Sequence, residues 1–350
     1  MITNLVLTVV LSFTRVNGLN GYGDRALGDA TWMALGGAFY HNPAFVRFSG
    51  ISVELNLPAA VTSERWTRPA YDRFGSTVGQ LTEYSFQHSS LSIPDFAISY
   101  ADGKKFASIS REKLYDLSYR YDRVFRSDYY TIEGFHSIEQ TGDVSRIGVS
   151  FGYRFQKGNF GVDAGLGISQ YTIKKDYSET RGYADGTIDS TSRELELSKV
   201  APSAGIVFRV GYRAAVGLSY RLPLEFVGDS DSVSYPGAFS VSMRLTPPSK
   251  ITTNVFFNYT YDGNLHYSLG FEHEIITGEW IRFGGGVSEN LKTLRWNPYF
   301  AFGFGHRAGH VGVDAGFTFT PYNYRLYAYG NSYSAKEWIF RSSLSLTLNF

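Results

Sequence analysis

The sequence contains no cysteine, which excludes disulfides, thiolate metal sites and cysteine nucleophiles and is permissive for an oxidising compartment. Methionine is nearly absent as well, 3 in 350 residues, so the flexible filler of many soluble cores is missing. The net charge is only +1, too little to steer the chain toward nucleic acid or an acidic partner. No apolar run reaches the roughly 20 residues that a membrane helix needs. The run at the start, Leu5 to Phe13 in "MITNLVLTVVLSFTRVNG", has the length of a signal-peptide core. Residues 1–18 are read as a cleaved signal on that basis, although no Lys or Arg precedes the run and Arg15 follows it. Any membrane span in the remainder must be built from strands.

What the chain has in quantity is aromatic residues and glycine: Tyr 26, Phe 27 and Gly 37. A charged fraction of 19% and a mean hydropathy of -0.18 would suit a soluble protein. A membrane β-barrel looks equally average, because each strand puts only alternate residues into lipid. From Ile51 onward the apolar period is two. Ile51/Val53/Leu55/Leu57, Ile147/Val149/Phe151/Tyr153/Phe155 and Phe160/Val162/Ala164/Leu166/Ile168 are the first clear runs. The pattern recurs to the last, Phe340/Ser342/Leu344/Leu346/Leu348/Phe350. The intervening positions carry charges of both signs: Arg146, Arg154, Asp163, Arg209, Arg221, Arg244, Glu272, Glu274, Arg282, Asp314 and Arg341. A soluble sandwich buries its apolar face and keeps its strands nearer 5–6 residues. One apolar and one charged face on long strands instead predicts an all-β fold, a transmembrane antiparallel barrel of about 14 strands with a polar, ion-paired lumen.

Short connections such as Asp102-Gly103, Lys157-Gly158 and Thr277-Gly278 alternate with longer ones near 59–92, 126–142, 174–194, 227–236, 289–295 and 321–336. The longer ones are read as external loops and the shorter as periplasmic turns, with both termini periplasmic. The stretch "GGAFYHNPAF" (Gly36 to Phe45) interrupts this picture. Pro43 removes a backbone donor and Gly36-Gly37 loosens the chain, so it reads as a compact turn or plug.

Three segments carry a family resemblance. "GDRALGDATWMALGGAFYHNPAF", with Asn42, Pro43 and Ala44, resembles the N-terminus of the FadL family of outer-membrane transporters of hydrophobic compounds. "VGLSYRLPLEFVG" leading to "PGAFSVSMRLTPPSKITTNVFFNYTYDG" resembles its central strand pair, and "SSLSLTLNF" is similar to outer-membrane assembly signals ending in an aromatic, here Phe350. The resemblance implies a barrel over 49–350, closed by a hatch over 19–48 folded inside the lumen. It implies a location in the bacterial outer membrane, and as partners the lipid bilayer, the barrel-assembly machinery and a hydrophobic small molecule such as a long-chain fatty acid. Phe39, Phe45, Trp66, Tyr71 and Phe74 are the candidate pocket residues, since such sites are mainly apolar. A PorV-like branch implies the alternative, a secretion or surface-anchoring component.

The chain offers little that looks catalytic. "GVSFG" (Gly148–Gly152) matches G-x-S-x-G but lies mid-strand with no helix to follow, so the strained elbow cannot form. "EHE" (Glu272–Glu274) lacks the i, i+4 histidine pair of a helical zinc site; both glutamates are expected to pair with inward arginines. Asp229 and Asp231 read as a solvated loop ahead of a calcium site. Neither an enzyme activity nor a cofactor is expected.

Overall fold

The computed structural model describes residues 42–44 and 50–350, apart from 92–93, 127–131, 228–231, 236, 249–251, 263–264, 291–294 and 329–330. The expected signal peptide, most of the hatch, Phe39, Phe45, Asp229 and Asp231 lie outside the described residues. The first eight strands are β1 (Gly50–Tyr71), β2 (Thr77–Leu91), β3 (Asp95–Ala101), β4 (Lys105–Asp116), β5 (Tyr119–Arg126), β6 (Ile132–Lys157), β7 (Phe160–Tyr183) and β8 (Ile188–Val210). Next come β9 (Ala214–Arg221), β10 (Leu224–Val227), β11 (Ser232–Tyr235), β12 (Ala238–Leu245) and β13 (Thr253–Tyr261). β14 (Leu265–Ile276), β15 (Glu279–Asn290), β16 (Arg295–Ala308), β17 (Val311–Ala328) and β18 (Asn331–Asn349) complete the chain.

These form a closed antiparallel barrel of 14 wall strands. β2 and β3 pair successive parts of β1, and β4 and β5 successive parts of β6, so each pair is one interrupted wall strand. β1 pairs with β18 from Ser52↔Asn349 to Thr67↔Ser334, which closes the ring. At that closure the Ile51 amide donates to the Phe350 carbonyl at 3.1 Å, and the Phe350 amide to the Ile51 carbonyl at 2.8 Å. Closure pairs every wall strand with its neighbours except along β2 and β5, where no ladder forms among the described residues.

The alternation in the sequence sets which side faces out. Ile51, Leu55, Leu57, Ile147, Val149, Phe151, Leu166, Ile168, Phe283, Phe300 and Phe304 are exposed on the outer wall. Asp163, Glu272, Arg282, Asp314, Ser345 and Thr347 are buried on the inner one. So large a continuous apolar belt is stable only against lipid.

The links expected to be loops are mostly strand. β1, β6, β7 and β8 run for 22, 26, 24 and 23 residues, well past the apolar belt. Positions 59–92, 126–142, 174–194 and 321–336 are largely paired hairpins. Beyond the belt the outward residues become Ser63, Arg65, Ser145, Gln170 and Thr172. Pairing continues there while lipid no longer demands apolar side chains, so the period-two signal stops before the strand does. The barrel thus has a short-turn end, with both Gly50 and Phe350, and a long-strand end.

Candidate functional site: the lumen and its seam

From the long-strand end inward the lumen has three layers. The first is aromatic. Trp66, Tyr84, Tyr119, Tyr121, Ile138 and Tyr333 are buried together, with Phe86, Tyr177 and Tyr324 packed against them. Trp66 lies 4.8 Å from Tyr84, 5.5 Å from Tyr121 and 6.1 Å from Tyr333 between ring centroids. Just below, Leu114, Leu117, Val144, Tyr171, Ile173 and Ala201 form a second apolar cluster. Leu224 and Phe226 join it from the β10–β11 hairpin, which is thereby folded inward. A lumen that is polar throughout is therefore not what forms: its long-strand end is an apolar chamber. The inward parity there carries Tyr84/Phe86 and Tyr119/Tyr121, a second apolar alternation out of phase with the lipid-facing one. That phase shift is the signal by which the sequence could have shown it.

The second layer is the Asn42–Ala44 turn, and it sits against the wall at the depth of the apolar belt. The Asn42 side-chain amide donates to the Leu218 carbonyl at 3.1 Å and to the Ile206 carbonyl at 3.5 Å. The Ala44 amide donates back to Asn42 Oδ1 at 2.9 Å. This local bond fixes the turn, and Ala44 is buried with Phe106, Val207, Ala215 and Phe256. Wall glycines make the room. A Cβ on Gly165 would lie 2.5 Å from the Pro43 carbonyl oxygen, and one on Gly205 would overlap Asn42 Oδ1 and lie 2.9 Å from Pro43 Cδ.

The third layer, toward the short-turn end, is ion-paired as expected. Asp163, fully buried, accepts from Arg154 Nε at 2.9 Å and Arg209 Nε at 2.8 Å. Arg282, also fully buried, donates from Nε to Glu272 at 2.7 Å and from Nη1 to Asp314 at 2.5 Å. Gly305 leaves the space for this, since its Cβ would meet Arg282 Nη1 at 2.6 Å. Arg146 pairs with Glu112, Arg221 lies 5.7 Å over Tyr171, and Arg341 is buried on the inner wall. Two expectations fail. Among the described residues Glu274 pairs with no arginine: it accepts the Gly278 amide at 3.0 Å, because the bulge after it turns it to the hairpin end. Arg244 also makes no ion pair among the described residues; it faces Arg209 as well as Glu272.

Of the described candidate pocket residues, Trp66, Tyr71 and Phe74, only Trp66 belongs to the chamber. Tyr71 is 63% and Phe74 76% exposed at the tip of the β1–β2 hairpin, where Arg73 caps the Phe74 ring at 4.7 Å. The structure does not bring them together with Trp66. Phe350 presents an exposed ring at the barrel closure.

One wall contact is different in kind. β2 and β5 are neighbours in the ring, yet no backbone ladder joins them among the described residues. Side chains hold this seam. At its lower end, where the β3–β4 ladder stops, Asp95 of β3 accepts the Lys113 amide of β4 at 2.8 Å and His88 Nε2 of β2 lies 3.6 Å from Asp116 of β4; between β2 and β5, Tyr84 Oη donates to the Arg120 carbonyl at 2.6 Å. Phe86 and Tyr119 meet at 5.5 Å and Tyr84 and Tyr121 at 5.0 Å.

Above the apolar belt, Glu179 accepts from His136 at 2.9 Å, from the Tyr177 hydroxyl at 2.8 Å and from Arg181. These bonds, His136 first, hold its carboxyl at about 2, below the ordinary 4.5. A depressed folded pKa means that the stabilisation is complete above the unfolded value and is lost as pH falls through the folded one. The β6–β7 extension is therefore expected to loosen between about pH 4.5 and 2. Amide exchange on β6 and β7 across that range checks this; Glu179→Gln should flatten the dependence.

No family model matches the sequence, and no curated protein matches it. Solved structures do. A Pseudomonas aeruginosa FadL homologue superposes with a TM-score of 0.60 at 11% identity, over 94% of this chain and 96% of that one. The toluene transporter TodX of P. putida gives 0.61 at 11% identity, over 95% and 99%. The Ralstonia pickettii toluene transporter TbuX gives 0.55 at 11%, over 95% and 99%. The chain has the FadL-type barrel fold. At this identity the likeness establishes the FadL-type architecture, and the chemistry of the lumen has to be argued from its own residues.

Proposed function

We propose that this FadL-type barrel is an outer-membrane channel for the passive uptake of hydrophobic small molecules. The observation that carries the reading is the order of layers in the lumen. An apolar chamber at the long-strand end gives way to a docked turn and then to a charged, ion-paired belt. An apolar solute partitions into the first layer at about 25 cal/mol per Å² of surface buried and gains nothing from the last. Its favourable exit is sideways toward lipid, and the β2–β5 seam, level with Ser63 and Arg65 at the upper margin of the apolar belt, is a wall contact without a backbone ladder among the described residues. Breaking a ladder would leave a whole row of buried amides and carbonyls unpaired at membrane depth, whereas parting the seam frees few backbone groups, the Arg120 carbonyl among them. In this reading the long-strand end faces outward, the termini are periplasmic, and the Asn42–Ala44 turn closes the lumen below the chamber. That solved barrels of this fold include toluene transporters is consistent with an apolar cargo; long-chain fatty acids remain within the same class.

Uptake of labelled toluene and of a labelled long-chain fatty acid by cells with and without the gene tests the proposal. Equal uptake of every hydrophobic compound would reject it, and a stable protein partner retained in mild detergent would favour a secretion component. The seam has its own test, made clean by a chain without cysteine. His88→Cys with Asp116→Cys, joined by a short reducible cross-linker, is expected to stop uptake, and reduction to restore it. Full uptake in the cross-linked protein would show that the seam is not the route.

A further inference from the structure

A buried acid sits among the rings of the aromatic layer. Glu64, on the inner face of β1, is 1% exposed among the rings. Its Oε1 accepts from Trp66 Nε1 at 2.8 Å and also from the Tyr324 hydroxyl. Its Oε2 is buried and has no hydrogen-bond partner among the described residues. A buried carboxyl oxygen left unpaired costs free energy that an apolar residue of similar size would not. Across the β1–β18 ladder its direct neighbour is a second buried acid, Glu337. Arg123 is the cation of this layer: it donates to the Tyr333 hydroxyl at 3.3 Å and lies 5.9 Å over that ring.

We propose that Glu64 sets the specificity of the chamber: it selects hydrophobic molecules that carry an O–H or N–H donor over those with none, and disfavours carboxylates. This rests on the reading above that hydrophobic molecules enter here. The rings around Glu64 come from both sides of the seam, Tyr84 from β2 and Tyr121 from β5. Parting the seam divides the aromatic layer and uncovers Oε2 between ring faces. A ligand ring then takes the place of a protein ring, and its donor supplies the missing hydrogen bond. An apolar ligand of the same shape leaves Oε2 unpaired. A carboxylate brings a third acid to Glu64 and Glu337.

The test uses the full-length protein in detergent and three probes of one shape: toluene, p-cresol and p-toluate, with affinities read by calorimetry. Wild type should bind p-cresol about tenfold more tightly than toluene, the worth of a hydrogen bond to a charged group, and p-toluate least. Glu64→Gln keeps an acceptor for Trp66 and Tyr324 and places an amide donor where Oε2 was. In that variant the amide can only donate to the cresol oxygen, a weaker neutral hydrogen bond, so the cresol-to-toluene ratio should fall several-fold while toluene affinity is kept; the heat-modifiable band verifies folding. Equal affinities for cresol and toluene in wild type, or an unchanged ratio in Glu64→Gln, would overturn the assignment and leave the channel reading standing. Binding of none of the probes by wild type would overturn both.

Discussion

Replacing Gly205 by valine is expected to raise the flux of toluene through the reconstituted barrel several-fold without unfolding it. The new side chain would occupy the place of Asn42 Oδ1 and crowd Pro43 Cδ, 2.9 Å from its first carbon. Over-packing of this kind costs about 1–3 kcal/mol. The cost falls on the docked turn and not on the ladder, because β7 and β8 still pair through Gly165↔Gly205. A penalty of about 1–3 kcal/mol moves a two-state equilibrium roughly 5- to 150-fold toward the undocked form. Ion conductance should respond differently. Trp66, Tyr84, Tyr121 and Tyr333 still line the outer lumen, and an apolar constriction resists wetting. Conductance in planar bilayers should therefore rise clearly only when Gly205→Val is combined with Tyr121→Ala. Deletion of 21–48 should behave like Gly205→Val. Unchanged toluene flux in a folded Gly205→Val protein would mean that the turn does not close the path.

The largest loss of stability is expected from Arg282→Met. Arg282 is the buried link between Glu272 on β14 and Asp314 on β17. Removing one member of a buried ionic group costs about 3–5 kcal/mol, because the remaining charges stay buried without compensation. Denaturant unfolding in lipid vesicles, followed by tryptophan fluorescence, measures it. Adding Glu272→Gln and Asp314→Asn should recover much of the loss, since the orphaned charges are then gone and Asn254 can still donate to position 272, as it does now at 3.1 Å. A triple variant as unstable as the single one would show that packing against Gly305, and not charge, is what Arg282 contributes.

The interplay of these two sites bears on how the lumen works. The docked turn and the ion-paired belt lie on successive inward positions of the same strands. Asp163 is two residues from Gly165 on β7, the same face of the strand. The belt gives the turn a rigid floor, and the glycines give it depth.

Much of this was determined by the amino-acid sequence alone. Strand alternation is a local property with period two, so the lipid-facing residues, the inward charges and the even strand count follow from reading along the chain. The same holds for Asn42-Pro43-Ala44, whose proline and short polar side chain prescribe a turn wherever they fall. What the tertiary structure decided are the facts that depend on a neighbouring strand. The hairpins beyond the belt stay paired because pairing needs only backbone, while the apolar pattern that reveals strands needs lipid. Trp66 is buried while Tyr71 and Phe74 are exposed because β5 and β18 bring Tyr121 and Tyr333 to the first and nothing to the others. Glu272 and Glu274 are equivalent in sequence, yet only Glu272 stands opposite Arg282 in the register. The seam between β2 and β5, and the acid beside it, are visible only once the barrel has closed, because an absent ladder and an unpaired oxygen are relations between strands.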